Sequence, residues 1–284
     1  MNVLSLFDGM SCGQIALNRA GIPYDNYFAS EIKKHAIETT QLHYPKTIQL
    51  GDVTKIKSED LPKIDLLIGG SPCQDFSQAN KERLGLKGTK SSLFFEYKRL
   101  LEELKPKYFL LENVDMDNYS YHFISNELGV YPIRINSQLV TGAFRDRLYW
   151  TNGGNQNEDL FGKKYCAIDQ PIDKRIMLQD ILESGFADTL KARSLNTHDG
   201  VAEKSQDKFW KRYCTTGMCT AVFLSEDLDW TKGIRHFTQT ELERLQTIPE
   251  GYTKHLTKNK AWDLIGDGWT VDVIVHLFKN LLQF

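Results

Sequence analysis

The chain has no surplus of either charge. Its 284 residues hold 35 Lys and Arg against 37 Asp and Glu, a formal net charge of −2. A basic total is therefore excluded as the means of holding nucleic acid. Any such surface must be local, because phosphate contacts need clustered cations rather than a high overall count. Cysteine is sparse and irregular: Cys12, Cys73, Cys166, Cys214 and Cys219 form neither a disulfide framework nor the spacing of a zinc site, and no metal is expected. No run of about 18 apolar residues occurs, and Met1–Phe7 lacks the basic flank of a signal peptide, so no membrane association is expected and the cytoplasm is the expected location. Repeats and low-complexity tracts are absent too. What remains, 41% hydrophobic and 25% charged residues, is the composition of a globular enzyme with one large domain and room for a smaller insert.

Strand-like and helix-like segments alternate over the first 152 residues, the pattern of a parallel sheet covered by helices. The sequence predicts strands at 3–7, 24–30, near Ile48, 64–68, 108–112, 131–135 and 148–151. Between them it predicts helices at 13–20, 33–43, 93–104 and 119–128, the first stopped by Gly21 and the third before Pro106. The run Asn152-Gly153-Gly154-Asn155-Gln156-Asn157 is rich in turn formers and marks a boundary. Residues 153–232 are irregular, with basic and aromatic side chains interleaved: Lys191, Arg193, Lys208, Trp210, Lys211 and Arg212. Regularity returns at 233–284, with Thr238 or Thr240 placed to cap a helix through Gln246 and a final helix at 272–282. The expected architecture is an α/β domain with a doubly wound, mostly parallel sheet (residues 1–152). A small inserted domain (153–232) and a return to the first domain (233–284) complete it.

The chemistry sits at predicted strand ends. Gly69-Gly70-Ser71-Pro72-Cys73-Gln74 turns sharply out of an apolar strand and fixes the backbone beside a thiol, at the edge where open α/β sheets bind ligands. The strand after it ends in Glu112-Asn113-Val114 and brings a carboxylate to the same edge. Such a pair suits covalent chemistry in which the cysteine attacks and the acid handles a proton. Glu112 could equally pair with Arg145 or Arg147, which alternate along a strand edge and so can face one side. Tyr149 and Trp150, which follow, are expected in the core. The turn Phe7-Asp8-Gly9-Met10-Ser11-Cys12-Gly13 is either a tight connection that needs glycine or a loop whose amides approach a ligand. Glu31 ends the second strand, where an acid accepts from ribose hydroxyls, and Asp52 ends the third, where one can accept from an adenine amino group. The spacing Gly-x-Gly-x-x-Gly is absent, which favours a ligand with one nucleoside and no pyrophosphate.

These residues, in this order, resemble the DNA cytosine-5 methyltransferases over almost the whole chain. The resemblance rests on the turn at 7–13, Glu31, Gly51-Asp52-Val53, Pro72-Cys73, Glu112-Asn113-Val114, Arg145-x-Arg147 and Gly266-Asp267-Gly268-Trp269-Thr270-Val271. Leu93-Phe94-Phe95-Glu96 and Ala143 look most like the animal de novo branch and its compact bacterial or phage relatives. Two positions depart from the common pattern. Ala143 stands where most members carry glutamine, though the de novo branch also has alanine there. Asp267 stands where many have asparagine and the de novo branch arginine.

The resemblance implies S-adenosylmethionine as cofactor, held by Phe7, Asp8, Gly9, Met10, Ser11 and Cys12, with Glu31 on the ribose. Asp52 and Val53 would surround the adenine, with Ile32, Pro72 and Leu93 beside them. Trp269 would pack over the methionine end next to Asp267. It further implies double-stranded DNA as substrate, with a cytosine flipped out of the helix. Cys73 would attack C6, Glu112 would hold the N3 and amino edge, and Arg145 with Arg147 would complete the site. The stretch Asp75–Ser92, carrying Lys81, Arg83, Lys87 and Lys90, reads as a lid over DNA, and Arg193, Lys211 and Arg212 as contacts from the insert. A companion restriction enzyme is a further expected partner. Two other readings are a transfer-RNA cytosine-5 methyltransferase using the same residues and a catalytically silent nucleic-acid-binding module of the same fold.

Overall fold

The computed structural model describes residues 1–71, 92–193, 195, 205–216 and 219–282. They form two compact units. The first takes in Met1–Ile135, Asp146–Gln170 and the chain from Ile274 onward. Its strands are β1 (Asn2–Leu6), β2 (Asn26–Ser30), β3 (Ile48–Gln49), β4 (Leu66–Gly70), β5 (Tyr108–Val114), β6 (Ile133–Asn136) and β7 (Asp146–Thr151). Its helices are α1 (Cys12–Ala20), α2 (Lys34–His43), α3 (Ser92–Leu104) and α4 (Asn118–Leu128). The predicted elements of this region are all present, with ends shifted by a few residues.

The seven strands lie in the order β3-β2-β1-β4-β5-β7-β6. The contacts β1–β2, β2–β3, β1–β4 and β4–β5 are parallel, and β7 runs antiparallel to β5. The order steps outward from β1 in both directions. Right-handed crossovers then put helices on opposite faces, which makes the sheet doubly wound with its switch point between β1 and β4. Burial on both faces explains why β4 reads as a continuous apolar run: Leu66, Leu67 and Ile68 are each at most 1% exposed. Leu4, Leu6, Leu67, Leu111 and Trp150 pack with Phe94, Tyr97 and Leu100 of α3 in one core. Trp150 is fully buried and donates its indole N–H to Ser125 Oγ at 3.0 Å, and Tyr149 is only 3% exposed.

Helix α1 ends as expected at Gly21, whose φ of 73° is left-handed and lets its N–H and that of Ile22 close on the last turn. Gly13 at the other end has a different reason. A Cβ there would lie 2.5 Å from Ile68 Cδ1 and 2.7 Å from the Tyr27 hydroxyl, so only glycine lets α1 approach the sheet this closely. The turn-forming run at 152–157 falls inside the first unit, where β8 (Gln156–Glu158) and β9 (Lys164–Cys166) pair as a hairpin.

The second unit comprises Asn136–Arg145 and Pro171–Val273. It contains α5 (Leu178–Ile181), α6 (Gln206–Thr216), the antiparallel strands β10 (Val222–Phe223) and β11 (Ile234–Arg235), α7 (Gln239–Leu245) and α8 (Lys258–Asp267). It also holds the start of α9 (Val271–Leu281). Phe209, Cys219, Ala221, Phe223 and Ile234 form a small core, with Trp210, Tyr213 and Trp230 packed on it. Of the two threonines able to cap α7, Thr238 does so: its hydroxyl accepts from the Glu241 N–H while the Glu241 carboxylate accepts from the Thr238 N–H. Fully buried Glu241 also takes both guanidinium nitrogens of Arg235, at 2.7 and 2.8 Å.

Candidate active site

One edge of the first unit gathers the turns that follow β1, β2 and β3. Leaving β1, the chain takes left-handed backbone angles three times in five residues, at Phe7 (φ 58°), Gly9 (φ 60°) and Ser11 (φ 65°). For Phe7 and Ser11 each such angle is strained by about 1–3 kcal/mol, a cost that persists only where surroundings over-determine the backbone. Glu31 supplies part of that constraint. Its Oε2 accepts from the Gly9 N–H at 2.8 Å, and its Oε1 accepts from the N–H groups of Ile32 and Lys33 at 2.7 and 2.8 Å. Two ionised carboxylate oxygens offer about four acceptor sites, so capacity remains for ribose hydroxyls. The ends of β2 and β3 are tied together: Ser30 Oγ donates to the Gly51 carbonyl at 2.7 Å and Leu50 N–H to the Ala29 carbonyl at 2.8 Å. Asp52 follows at once. Its Oδ1 caps the short turn Val53–Lys55 through Thr54 N–H and Oγ1, and those two bonds hold its carboxyl below the usual carboxylate range.

Not every residue of this edge can offer a side chain. Met10, Cys12 and Val53 are buried, so their part in any ligand site is main-chain or packing. Phe7 and Leu93 are half-buried against the core. Ile32, by contrast, is 75% exposed beside Glu31, an apolar surface open to a flat ring. A Cβ added at Gly9 would meet only open space. Open backbone, spare acceptors and one exposed aliphatic side chain fit an adenosine-bearing cofactor. Asp8 behaves differently: its carboxylate points inward, where Tyr27 Oη and Ser11 Oγ donate to it at 2.8 and 2.7 Å.

The neighbouring edge carries the acid. Glu112 pairs in register with Gly70, the last residue of β4, three positions before Cys73. Asn113 Nδ2 donates to Ser71 Oγ at 3.0 Å and to the Ser71 carbonyl at 3.4 Å, tying the end of β5 to the start of the segment that leads to the thiol. Arg147 on β7 places Nε 3.0 Å from Glu112 Oε1. Cys73, Pro72 and the lid cations Lys81, Arg83, Lys87 and Lys90 lie outside the described residues.

The two arginines belong to different units. Arg147 belongs to β7, whereas Arg145 precedes that strand, is 7% exposed and donates to the Gly268 carbonyl at 2.8 Å within the second unit. Of the two, only Arg147 lies within the described strand, which begins at Asp146. Asp267, the last residue of α8, is exposed, and Trp269 is half-buried. The basic stretch of the second unit divides in two. The Lys191 ammonium is enclosed by the carbonyls of Gln138, Thr141 and Ile176, and Arg193 donates to the Cys219 carbonyl while its guanidinium lies 5.0 Å from the Tyr213 ring centroid. Tyr213, Trp210 and Trp230 continue that contact as parallel stacked rings. Lys208 and Lys211 are exposed on α6, and Arg212 is half-buried beside them. Among the described residues no group of His, Cys, Asp or Glu is arranged to hold a metal ion, and no helix is long and apolar enough to cross a membrane.

The family model for C-5 cytosine-specific DNA methylases matches residues 1–121 and 152–283, and the chain belongs to that family. An orphan methyltransferase, M.SPRI of Bacillus phage SPR, is 34% identical over 65% of this chain, and that match spans 43% of the phage protein. The Type II methyltransferase M1.ScrFI of Lactococcus lactis subsp. cremoris is 27% identical over 99% of this chain and 78% of its own length. Among solved structures, a Spodoptera frugiperda DNMT2 variant superposes with a TM-score of 0.69 at 17% identity, covering 99% of both chains. The shared fold is the Rossmann-like methyltransferase sheet.

Proposed function

We propose that the chain transfers a methyl group from S-adenosylmethionine to C5 of a cytosine flipped out of double-stranded DNA. The observation that carries this reading is Glu112, buried at the end of β5, in register with the strand that leads to Cys73 and ion-paired to Arg147. When bound, S-adenosylmethionine supplies an electrophilic methyl group. Phe7–Cys12, Glu31, Ile32, Asp52 and Val53 hold its nucleoside end, and Pro72 and Leu93 flank it. By the resemblance, Asp267 and Trp269 serve its amino-acid end.

A stacked cytosine does not present its ring carbons, so the base must leave the helix, at roughly a few kcal/mol for unstacking. The Cys73 thiolate then forms a bond to C6, and the electron pair of the C5–C6 double bond shifts into the ring. Glu112, held in orientation by Arg147, meets the N3 and amino edge and gives N3 a proton as attack puts negative charge on the ring, taking it back when Cys73 leaves. Arg145 is assigned to the O2 carbonyl on the resemblance. Attack makes C5 nucleophilic, ready for the methyl group. Loss of the C5 proton returns its electrons to the ring, breaks the C6–S bond and releases Cys73. Free cysteine has a pKa of about 8.5, so the site must favour the thiolate or take its proton during attack.

DNA as substrate is supported by the family description and by the Type II name of the lactococcal relative, which also supports a companion restriction enzyme. Recognition of the target sequence is assigned to residues 153–232. The test is a covalent trap with oligonucleotides containing 5-fluorocytosine, offered as DNA and as RNA. A cofactor-dependent adduct with DNA, absent in Cys73→Ser, is expected. An adduct with RNA alone would move the substrate to RNA, and no adduct with either would leave a silent binding module.

A further inference from the structure

We infer that Tyr27 and Gln14 are positioning residues for the cofactor loop, holding Phe7–Ser11 in shape through Asp8 and Ser11. The inference rests on the reading above that S-adenosylmethionine sits on this loop. Neither residue reaches the open face. Tyr27 and Gln14 are each 2% exposed, and they meet the loop from below. Tyr27 Oη donates to Asp8 Oδ1 at 2.8 Å, and Ser11 Oγ donates to Asp8 Oδ2 at 2.7 Å. Gln14 Nε2 donates to Ser11 Oγ at 2.8 Å and to Thr47 Oγ1 at 2.7 Å, and its Oε1 accepts from Tyr24 Oη at 3.1 Å.

This chain of bonds joins the three segments on which the cofactor reading depends. Asp8 and Ser11 belong to the loop after β1, Tyr27 lies on β2, which Glu31 follows, and Thr47 immediately precedes β3, which leads to Asp52. Two of the loop's left-handed residues, Phe7 and Ser11, are not glycine and would relax if nothing opposed them. Ser11 makes no side-chain cap to α1, because its hydroxyl is turned to Asp8 instead. Local helix capping is thus given up for a bond that fixes the loop. Gly13 leaves the room this bond needs: a Cβ there would lie 2.7 Å from the Tyr27 hydroxyl.

The network needs a charged acceptor. A carboxylate can receive both hydroxyls at once, whereas a protonated one turns one oxygen into a donor. The groups facing Asp8 are the hydroxyls of Ser5, Ser11 and Tyr27 and the Glu31 carboxylate. Burial, opposed by the three hydroxyls and aided by the Glu31 charge, pushes Asp8 up to about 6. Burial and the Asp8 charge push Tyr27 well above the usual phenol range, so it remains a donor throughout.

Calorimetry with S-adenosylhomocysteine, on the full chain between pH 5 and 8, tests this. Tyr27→Phe, which removes one oxygen, is expected to weaken binding about tenfold at pH 7.5, the scale of one hydrogen bond to a buried charge. Gln14→Leu should weaken it less, by about threefold. In steady-state assays the KM for the cofactor should rise while kcat stays near wild type. Wild-type affinity should fall as pH drops through about 6, and Asp8→Asn should bind more weakly but without that fall. Each variant's melting curve is recorded so that binding is compared only on folded protein. Unchanged affinity in folded Tyr27→Phe, together with loss of binding in Glu31→Ala, would overturn the positioning role and leave the cofactor assignment standing. Full binding by Glu31→Ala would overturn both.

Discussion

Arg147 Nε lies 3.0 Å from Glu112 Oε1, and the two side chains are only 16% and 10% exposed. They sit on adjacent antiparallel strands, Glu112 opposite Tyr149 and Arg147 opposite Val114. Such a pair gives little net stability when whole, because two charges have left water, but losing one partner strands the other. Arg147→Ala is therefore expected to lower unfolding free energy by about 3 kcal/mol in urea titrations and to lower turnover as well. A variant as stable as wild type would mean that water, not the arginine, satisfies Glu112.

Glu112→Gln separates chemistry from folding. Glutamine keeps the shape and an acceptor but no charge, so the fold and cofactor affinity should survive while turnover falls by about 10²-fold or more. Cys73→Ser should likewise retain cofactor binding and lose methyl transfer, since a hydroxyl is a far poorer nucleophile toward C6. Substantial turnover by the serine variant would remove Cys73 from the nucleophile role.

Much of this is legible in the sequence. Apolar runs such as Leu66-Leu67-Ile68 and breakers such as Gly21 mark strands and helix ends because burial and left-handed backbone act locally. Acids at strand ends stand out for the same reason, which is why Glu31, Asp52 and Glu112 can be found by position alone. Partnership is another matter. Nothing in the spacing of Asp8, Gln14, Tyr27 and Thr47 says that their polar atoms meet, because that depends on how α1 lies on the sheet. The one signal was Gly13 in the first turn of a helix, where glycine without a turn to make implies close approach. Lys191 and Arg193 show the same limit: their spacing does not say that the carbonyls of Gln138, Thr141, Ile176 and Cys219 accept from them.

Buried Asp8 makes stability fall with rising pH. Its carboxyl is pushed up to about 6 from an ordinary 3.8, so between those values the folded state holds a proton that the unfolded state has released. Stability contributed by this group is complete below the lower value, declines through the interval and is level above the higher one. The full shift corresponds to about 3 kcal/mol. Asp8→Asn should therefore be more stable than wild type by a margin of about 1–3 kcal/mol at pH 7 that shrinks toward pH 4, read by urea denaturation. Greater stability joined to weaker cofactor binding is the pattern of a residue kept for its site rather than for the fold. An asparagine variant less stable at pH 7 than wild type would show that hydrogen bonds to the carboxylate outweigh its desolvation.

Salt dependence separates structural cations from those that meet phosphate. Each neutralised DNA phosphate contributes about 0.9 to the fall of log affinity against log salt. Lys211 is exposed on α6 and free to make such a contact, so Lys211→Ala should flatten the slope by about that amount. Lys191 sits in the same basic stretch, yet its ammonium donates to the carbonyls of Gln138, Thr141 and Ile176 at 2.7, 3.0 and 2.5 Å. Burial pushes its pKa below the usual lysine value, as expected for a cation kept from bulk water. Lys191→Met keeps the aliphatic stem but leaves three carbonyls short of a donor, and should destabilise the second unit by about 3 kcal/mol. Its salt slope, measured below the melting transition, should match wild type. A slope flattened as much by Lys191→Met as by Lys211→Ala would mean that Lys191 leaves its carbonyls to reach phosphate when DNA binds.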